Sequence, residues 1–300
     1  MINLERLRSL HAVANYGSLH AAAESLNVSA SAISQQIAKL EREVGEALLE
    51  KRGRGVTLTD AGVVLTGHAE RAFSVLRQAE AELDARRAVV AGEVVVGAFA
   101  TAIRGLAPAA LTLLAREHGQ LRVRLEEMEP NDAISRLERG DIDLALAQDW
   151  SNSPLPVPSE LARAPLFDDV ADVALPHDHP LATRASVKLA DLANDQWIAW
   201  TPGSICHDWL LHTLRTAGHE PFVAHHTLEY ATQLALVGGG LGVAVLPRLG
   251  RGVVPADVRI VAVNPALTRK VYAVWRNDAA RRTAILATVD AFRRAGDSLA

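Results

Sequence analysis

From Asp60 to about Val90 the chain contains no proline, and Leu65, Ala69, Ala72, Leu76, Ala79 and Leu83 recur at alternating spacings of four and three. That period keeps one stripe of side chains on one side of an α-helix and is the seam of a coiled coil. Such a helix would be roughly 40 Å long, and its alanines would let a second helix come close. A lone helix cannot bury this seam. The segment over 61–90 is therefore expected to be a dimerising linker between two regions of different pattern, against the plainer alternative that the seam packs on its own domain.

The sixty residues before it read as short helices. Asn3 can cap a helix with Leu4, Leu7, Leu10 and Ala14 on its apolar face, and Gly17-Ser18 stops it and caps a second helix holding Leu19, Ala22, Ala23 and Leu26. After a turn at Asn27, Ser29 can cap a third helix in which Ile33, Ile37, Leu40 and Val44 form one buried stripe. The other face carries Ser31, Ser34, Gln35, Ala38, Lys39 and Arg42, short polar and basic groups able to reach base edges and phosphates. Alone, such a face is more often merely solvated. Downstream, Val56-Thr57-Leu58 alternates like a hairpin strand. Gly53 and Gly55 permit a tight loop that would present Lys51, Arg52 and Arg54 as a wing towards a minor groove or phosphates.

Charge does not argue for nucleic acid by itself. Eleven of the 31 basic and eleven of the 35 acidic residues fall within residues 1–90, so the whole net charge of −4 arises later. Any phosphate attraction must come from local clusters such as Lys51-Arg52-Gly53-Arg54.

Beyond Gly92 the pattern becomes alternating strand and helix. Strands are expected at Val94–Val96, Leu121–Leu125 and Ile142–Ala147, with helices near 103–117 and 132–139, as βα units of a parallel sheet. A second set follows: strands at 170–175, 197–200 and 243–246, and helices at about 205–217 and 230–237. Val271–Trp275 and a helix over about 279–295 return to the first set. The expected architecture is a two-lobed α/β domain over 91–300, lobe I at about 91–165 and 268–300 and lobe II at about 166–267, with a cleft at the strand ends. Its candidate ligand contacts are Ala100, Thr101 and Ala102, where free N–H groups could hold a carboxylate or other anion. Gln148, Asp149, Trp150, Trp200, Thr201, His226 and Thr227 join them just past strand ends. Asp149 could receive an amine.

Catalysis and metal binding find little support. The eleven histidines lack a ligand framework: His207 and His212 are five apart, off one helical face, and no His-Glu-x-x-His run exists. No cofactor or metal is expected. Gly238-Gly-Gly-Leu-Gly242 follows a helix and enters a strand, the reverse of a dinucleotide loop, and reads as a helix cap. Ser204 lacks a nucleophile elbow, and Cys206 is the one cysteine, with no partner for an intramolecular disulfide. With no signal sequence at Met1 and no apolar run long enough for a bilayer, a cytoplasmic chain without membrane contact is expected.

Gly17-Ser18-Leu19, Ala22-Ala23, Leu26, Ser29-Ala-Ser-Ala-Ile-Ser34, Ile37, Leu40-Glu41, Gly45 and Leu58-Thr-Asp-Ala-Gly62 stand in an order that resembles the LysR-type transcriptional regulators. His179-Pro-Leu-Ala182 and Gly240-Leu-Gly-Val-Ala-Val-Leu-Pro247 extend the resemblance over nearly the full length. It implies a winged helix-turn-helix DNA-binding domain over 1–60, a dimerising linker helix, and an effector-binding domain like the periplasmic binding proteins. The partners it implies are double-stranded promoter DNA, a small-molecule effector and further copies of the chain in a homodimer or homotetramer, with RNA polymerase a further candidate. Two departures stand out. The family usually has Leu-Phe-x-Arg where this chain has Leu48-Leu49-Glu50-Lys51, and Ser-Gln-Ser where it has Ser29-Ala30-Ser31.

The leading expectation is a ligand-responsive DNA-binding regulator that is not an enzyme. The competing one is an architectural, effector-independent DNA-binding protein. An enzyme using the cleft is the third reading, without a triad, metal spacing or cofactor loop to support it.

Overall fold

The computed structural model describes residues 2–53, 55–86 and 89–298. These form two compact units, residues 1–83 and 84–300. In the first, α1 (Leu4–Tyr16), α2 (Leu19–Ser25) and α3 (Ala30–Val44) are followed by β1 (Leu49–Arg52), β2 (Gly55–Leu58) and α4 (Asp60–Ala85). The caps are local chemistry. The Asn3 side chain accepts from the Glu5 and Arg6 amides, Ser18 from Ala21 and Ser29 from Ala32, while Gly17 and Gly45 end α1 and α3 in the left-handed conformation.

Leu7, Leu10, Ala22, Ala23, Ile33, Ile37 and Leu40 meet in one core. On α1 the buried face is turned slightly from the expected one: Val13 is inside and Leu4 is exposed. The β1–β2 hairpin pairs Leu49 with Leu58 and Arg52 with Gly55, which makes its connection tight. Gly53 takes the positive φ such a connection needs, whereas Gly55 has none and begins the strand.

Helix α4 is about 39 Å long at 1.5 Å per residue and ends at Ala85, short of the expected Val90. Its seam divides. Leu65 and Ala69, with Phe73, pack into the core of their own unit, which corrects their assignment to a partner-facing stripe. Ala72 is half-buried, and Leu76, Ala79 and Leu83 are exposed together with Val64 and Val75.

The start of α4 explains the glycine of Leu58-Thr-Asp-Ala-Gly62. Thr59 Oγ1 donates to the Ala47 carbonyl and accepts from the Gly62 amide. A Cβ on Gly62 would lie 2.2 Å from the Leu48 carbonyl oxygen, whereas one on Gly67 meets open space. Gly62→Ala is therefore expected to destabilise the first unit by about 2–3 kcal/mol, and Gly67→Ala to stabilise it by about 0.5–1 kcal/mol. Urea unfolding of the two variants checks the pair of signs, and an unmoved Gly62→Ala midpoint counts against the close approach.

In the second unit β3 (Ala91–Ala98), β4 (Gln120–Glu127) and β5 (Leu144–Trp150) alternate with α5 (Ala100–Gly105), α6 (Ala107–Glu117) and α7 (Pro130–Arg139). The helix expected over 103–117 is two helices, broken at Leu106. Then come β6 (Leu161–Pro176), β7 (Ser186–Val187), β8 (Gln196–Trp200), α8 (Ile205–Thr216), β9 (Phe222–Thr227), α9 (Tyr230–Gly238), β10 (Ala244–Pro247), β11 (Val258–Val263), β12 (Leu267–Arg276) and α10 (Thr283–Asp297).

The main sheet runs β4-β3-β5-β12-β6-β11-β7, with β10 also on β6. The three strands expected as parallel βα units pair in that way, β3 with β4 and β5, but the sheet as a whole is mixed, because β12 is antiparallel to both β5 and β6. Strands β6 and β12 are the two passages between lobes. One half of each lies in the lobe I core and the other half supports lobe II, where β10 and β11 pair with the end of β6. Gly238-Gly-Gly-Leu-Gly242 ends α9 and turns into β10, with Gly240 at positive φ, as the cap reading requires.

Candidate functional site

On α3 the buried Ile33, Ile37 and Leu40 leave Ser31, Ser34, Gln35, Ala38, Lys39 and Arg42 on the opposite face, away from the core. Ser18 and Ser29 spend their lone pairs on caps and keep hydroxyl protons to donate. Lys51 and Arg52 are exposed on the hairpin, and Arg54 lies outside the described residues. A contact from Glu41, whose role spacing alone does not give, braces this arrangement: its carboxylate accepts the Leu48 and Leu49 amides at 2.9 and 3.3 Å, tying α3 to the root of the wing.

In the second unit the centre of the candidate site is a residue that sequence reasoning misses. Arg269 on β12 is 1% exposed and lies directly across from Asp169 on β6 and Trp150 on β5. Its guanidinium donates to Asp169 Oδ2 at 2.8 Å through Nε, to Thr101 Oγ1 at 3.0 Å, and to the Gln148 side-chain carbonyl. The Phe99 and Trp150 rings lie 5.5 and 5.8 Å from it. Thus Thr101 and Gln148, expected as neighbours in a cleft, are joined by an arginine paired to a carboxylate. The Gln148 amide reaches Cys206 Sγ at 3.5 Å, bringing the start of α8 to the same place.

The remaining expected residues divide. Trp200 meets Tyr230 edge-on at 5.2 Å, and the Arg104 guanidinium lies 5.1 Å from the Tyr230 ring centre, so aromatic and cationic groups from both lobes meet here. His226 is near His207, with ring centres 5.5 Å apart, and Thr227 Oγ1 donates to the Glu229 carbonyl at the start of α9. Thr201 is half-buried, and its carbonyl accepts the Ser204 amide. Ala100 is half-buried, but Ala102 is packed in the lobe I core with its N–H bonded to the Phe99 carbonyl, which removes it as an anion donor. Trp150 is a wall residue, stacked on Trp209 at 3.8 Å.

Asp149 falls on the other face of β5. It alternates with Gln148 and Trp150, and its carboxyl, raised by burial and lowered by the Leu155 amide, Arg163 and Lys270, faces those groups instead. The structure does not bring it to Arg269. Among the described residues no cluster of His, Cys, Asp and Glu could hold a metal ion, and no helix is long and apolar enough to cross a membrane.

Electrostatics make the inner wall nearly neutral. Arg269 is balanced by Asp169, burial pushes the Cys206 thiol up to about 11, and burial holds the Tyr230 hydroxyl well above its ordinary value. An elevated native thiol value contributes stability that is complete below the unfolded thiol value of about 8.5 and is lost as pH rises towards about 11. In the folded protein at pH 8, Cys206 is expected to resist iodoacetamide and to react only on unfolding. Complete native-state modification within minutes at that pH overturns this assignment.

Comparison with known proteins agrees with both units. Residues 4–63 match the bacterial regulatory helix-turn-helix proteins of the lysR family, and residues 87–297 match the LysR substrate binding domain. The HTH-type transcriptional regulator YnfL of Escherichia coli K12 is 30% identical, over 87% of this chain and 88% of that one. The transcriptional dual regulator GltC of Bacillus subtilis 168 is also 30% identical, over 72% of this chain and 71% of its own. The structure of a full-length OxyR point mutant from Pseudomonas aeruginosa superposes with a TM-score of 0.72 at 27% identity, covering 98% of each chain. With a helix-turn-helix unit joined to a two-lobed effector domain, this chain belongs to the LysR-type transcriptional regulators, DNA-binding proteins rather than enzymes.

Proposed function

We propose that the protein is a cytoplasmic regulator that reads an operator with the exposed face of α3 and braces itself on phosphates through the wing. The observation that carries this reading is the division of α3, a fully buried apolar stripe opposite a row of short polar and basic side chains. Ser18, Ser29, Lys51 and Arg52 flank that row and supply backbone contacts. A second copy packs on α4 along the half-buried Ala72 and the exposed Leu76, Ala79 and Leu83, with exposed Val64 and Val75 beside them, because this apolar stripe is left largely uncovered in the single chain. Dimers or dimers of dimers then place recognition helices on two half-sites.

The effector domain takes a small molecule between its lobes, against Ala100, Thr101, Gln148, Trp200, Thr201, His226 and Thr227. Arg104, the cation set beside Tyr230, favours an anion. Cys206 serves as a buried hydrogen-bonding neighbour of Gln148, in keeping with its elevated pKa.

DNase I footprinting of the purified protein upstream of its own gene, across a salt series, tests the reading. Expected is a protected region with two spaced halves that weakens steeply as salt rises. No protection at any salt concentration overturns operator recognition at that promoter.

A further inference from the structure

The loop after β10 belongs to lobe II by sequence but is built into lobe I. Leu249 is 4% exposed and lies in the core formed by β3, α5, α6 and α10. Two glycines permit the approach. A Cβ on Gly105 of α5 would sit 2.4 Å from Leu249 Cδ1, and a Cβ on Gly250 would sit 2.6 Å from the Thr101 carbonyl oxygen. Gly250 also has a φ of +63°, which disfavours any side chain there. The Gly250 carbonyl accepts from Arg104 Nε at 3.3 Å.

The lobe II side of the loop is held by carboxylates of β6. Asp172 accepts from Arg248 at 2.9 and 3.0 Å and from Arg251 at 2.8 Å, and Arg251 also caps the Leu246 carbonyl at 2.7 Å. Burial raises the Asp172 carboxyl, but the hydrogen bonds from Arg248 and Arg251 carry it below the usual carboxylate range. Asp169 links the loop to the cleft. Its Oδ1 accepts the Leu249 amide at 3.0 Å while its Oδ2 holds Arg269, which holds Thr101. The contacts therefore close a ring: Arg269, Asp169, Leu249, Gly250, Thr101 and back to Arg269.

We propose that residues 248–252 are an interlobe latch whose closure is set through this ring, so that occupation of the cleft at Thr101 and Arg269 changes the hold of the loop on α5. The coupling needs no long relay. One carboxylate bonds both the latch amide and the cleft arginine, and the latch backbone rests on the residue that arginine binds. The regulatory consequence rests on the cleft being the effector site, whereas the latch itself does not.

Limited trypsin digestion of the full-length protein tests the latch, since the bonds after Arg248 and Arg251 are cleaved only when those guanidinium groups leave Asp172. Gly250→Ala places a methyl against Thr101 and is expected to speed cleavage after Arg251 at least tenfold. Gly252→Ala, whose Cβ meets open space in the same loop, is expected to match the wild type. Asp172→Asn, which adds no atom against α5, should also speed cleavage and serves if Gly250→Ala does not fold. Equal cleavage rates in Gly250→Ala, Asp172→Asn and wild type overturn the latch. If cleavage rises and the operator footprint of the released variants changes in length or hypersensitivity, the link to regulation is supported. A raised cleavage rate with a footprint identical to wild type overturns that link, while absence of any wild-type footprint speaks against operator recognition and leaves the cleavage comparison standing.

Discussion

Arg269→Met is expected to lower the stability of the effector domain by about 3–5 kcal/mol. The substitution keeps most of the length of the side chain and its place between Trp150 and Phe99, so the loss comes from stranding Asp169, itself buried, without its cation. Thr101 Oγ1 and the Gln148 carbonyl lose their donor as well. At roughly 2–4 °C per kcal/mol for a unit of this size, the melting temperature falls by about 6–20 °C. Adding Asp169→Asn should recover at least half of the loss, because asparagine still accepts the Leu249 amide without leaving a charge uncompensated. A melting temperature within about 2 °C of wild type for Arg269→Met, measured by calorimetry, overturns the central role given to the pair.

That pair shows which parts of the molecule are legible in the sequence. Helix caps and buried stripes depend on residues three and four apart, so Asn3, Ser18, Ser29 and the Ile33-Ile37-Leu40 row can be read directly. The alternation of βα units places β3, β4 and β5 in the same way. Asp169 and Arg269, by contrast, are a hundred residues apart, and only the antiparallel pairing of β6 with β12 sets them side by side. A trace exists: each is a charged residue in a strand otherwise rich in apolar positions, and the two charges are opposite. Asp149 shows the converse. Proximity in sequence to Gln148 and Trp150 suggests a shared cleft, yet strand alternation sends it to the other face. Strands β9 and β11 escape the sequence reading for different reasons. Phe222–Thr227 is half-exposed and pairs only with β8, whereas Val258–Val263 is apolar at every position but Arg259 and so shows no alternation to mark it. The period of α4 identifies its seam as apolar, but it does not say which part its own domain covers. Leu65 and Ala69 go inward because Phe73 extends the same stripe, and it meets His11 edge-on at 5.6 Å.

The second large effect is expected at the DNA face. Ser34 and Gln35 lie on the face of α3 away from its buried stripe, and neither side chain caps the helix, so replacing both with alanine leaves the core and the caps untouched. Alanine is also the better helix former, which keeps α3 intact. If the two side chains make the base-edge contacts proposed for them, each worth about 1–3 kcal/mol for a well-placed pair, the double variant should weaken operator binding by at least about thirtyfold. The thermal midpoint should remain within about 2 °C of wild type, since neither change alters buried contacts. Lys39→Ala and Arg42→Ala should behave differently. They remove cations rather than sequence contacts, so binding should weaken on operator and non-operator DNA alike, with the slope of affinity against salt reduced by about one per contact. Gel-shift titrations on both DNAs over a salt series separate the two classes. Wild-type operator affinity in the Ser34→Ala/Gln35→Ala protein overturns the recognition role of α3, and a loss confined to operator DNA in the lysine and arginine variants moves base reading onto those two residues.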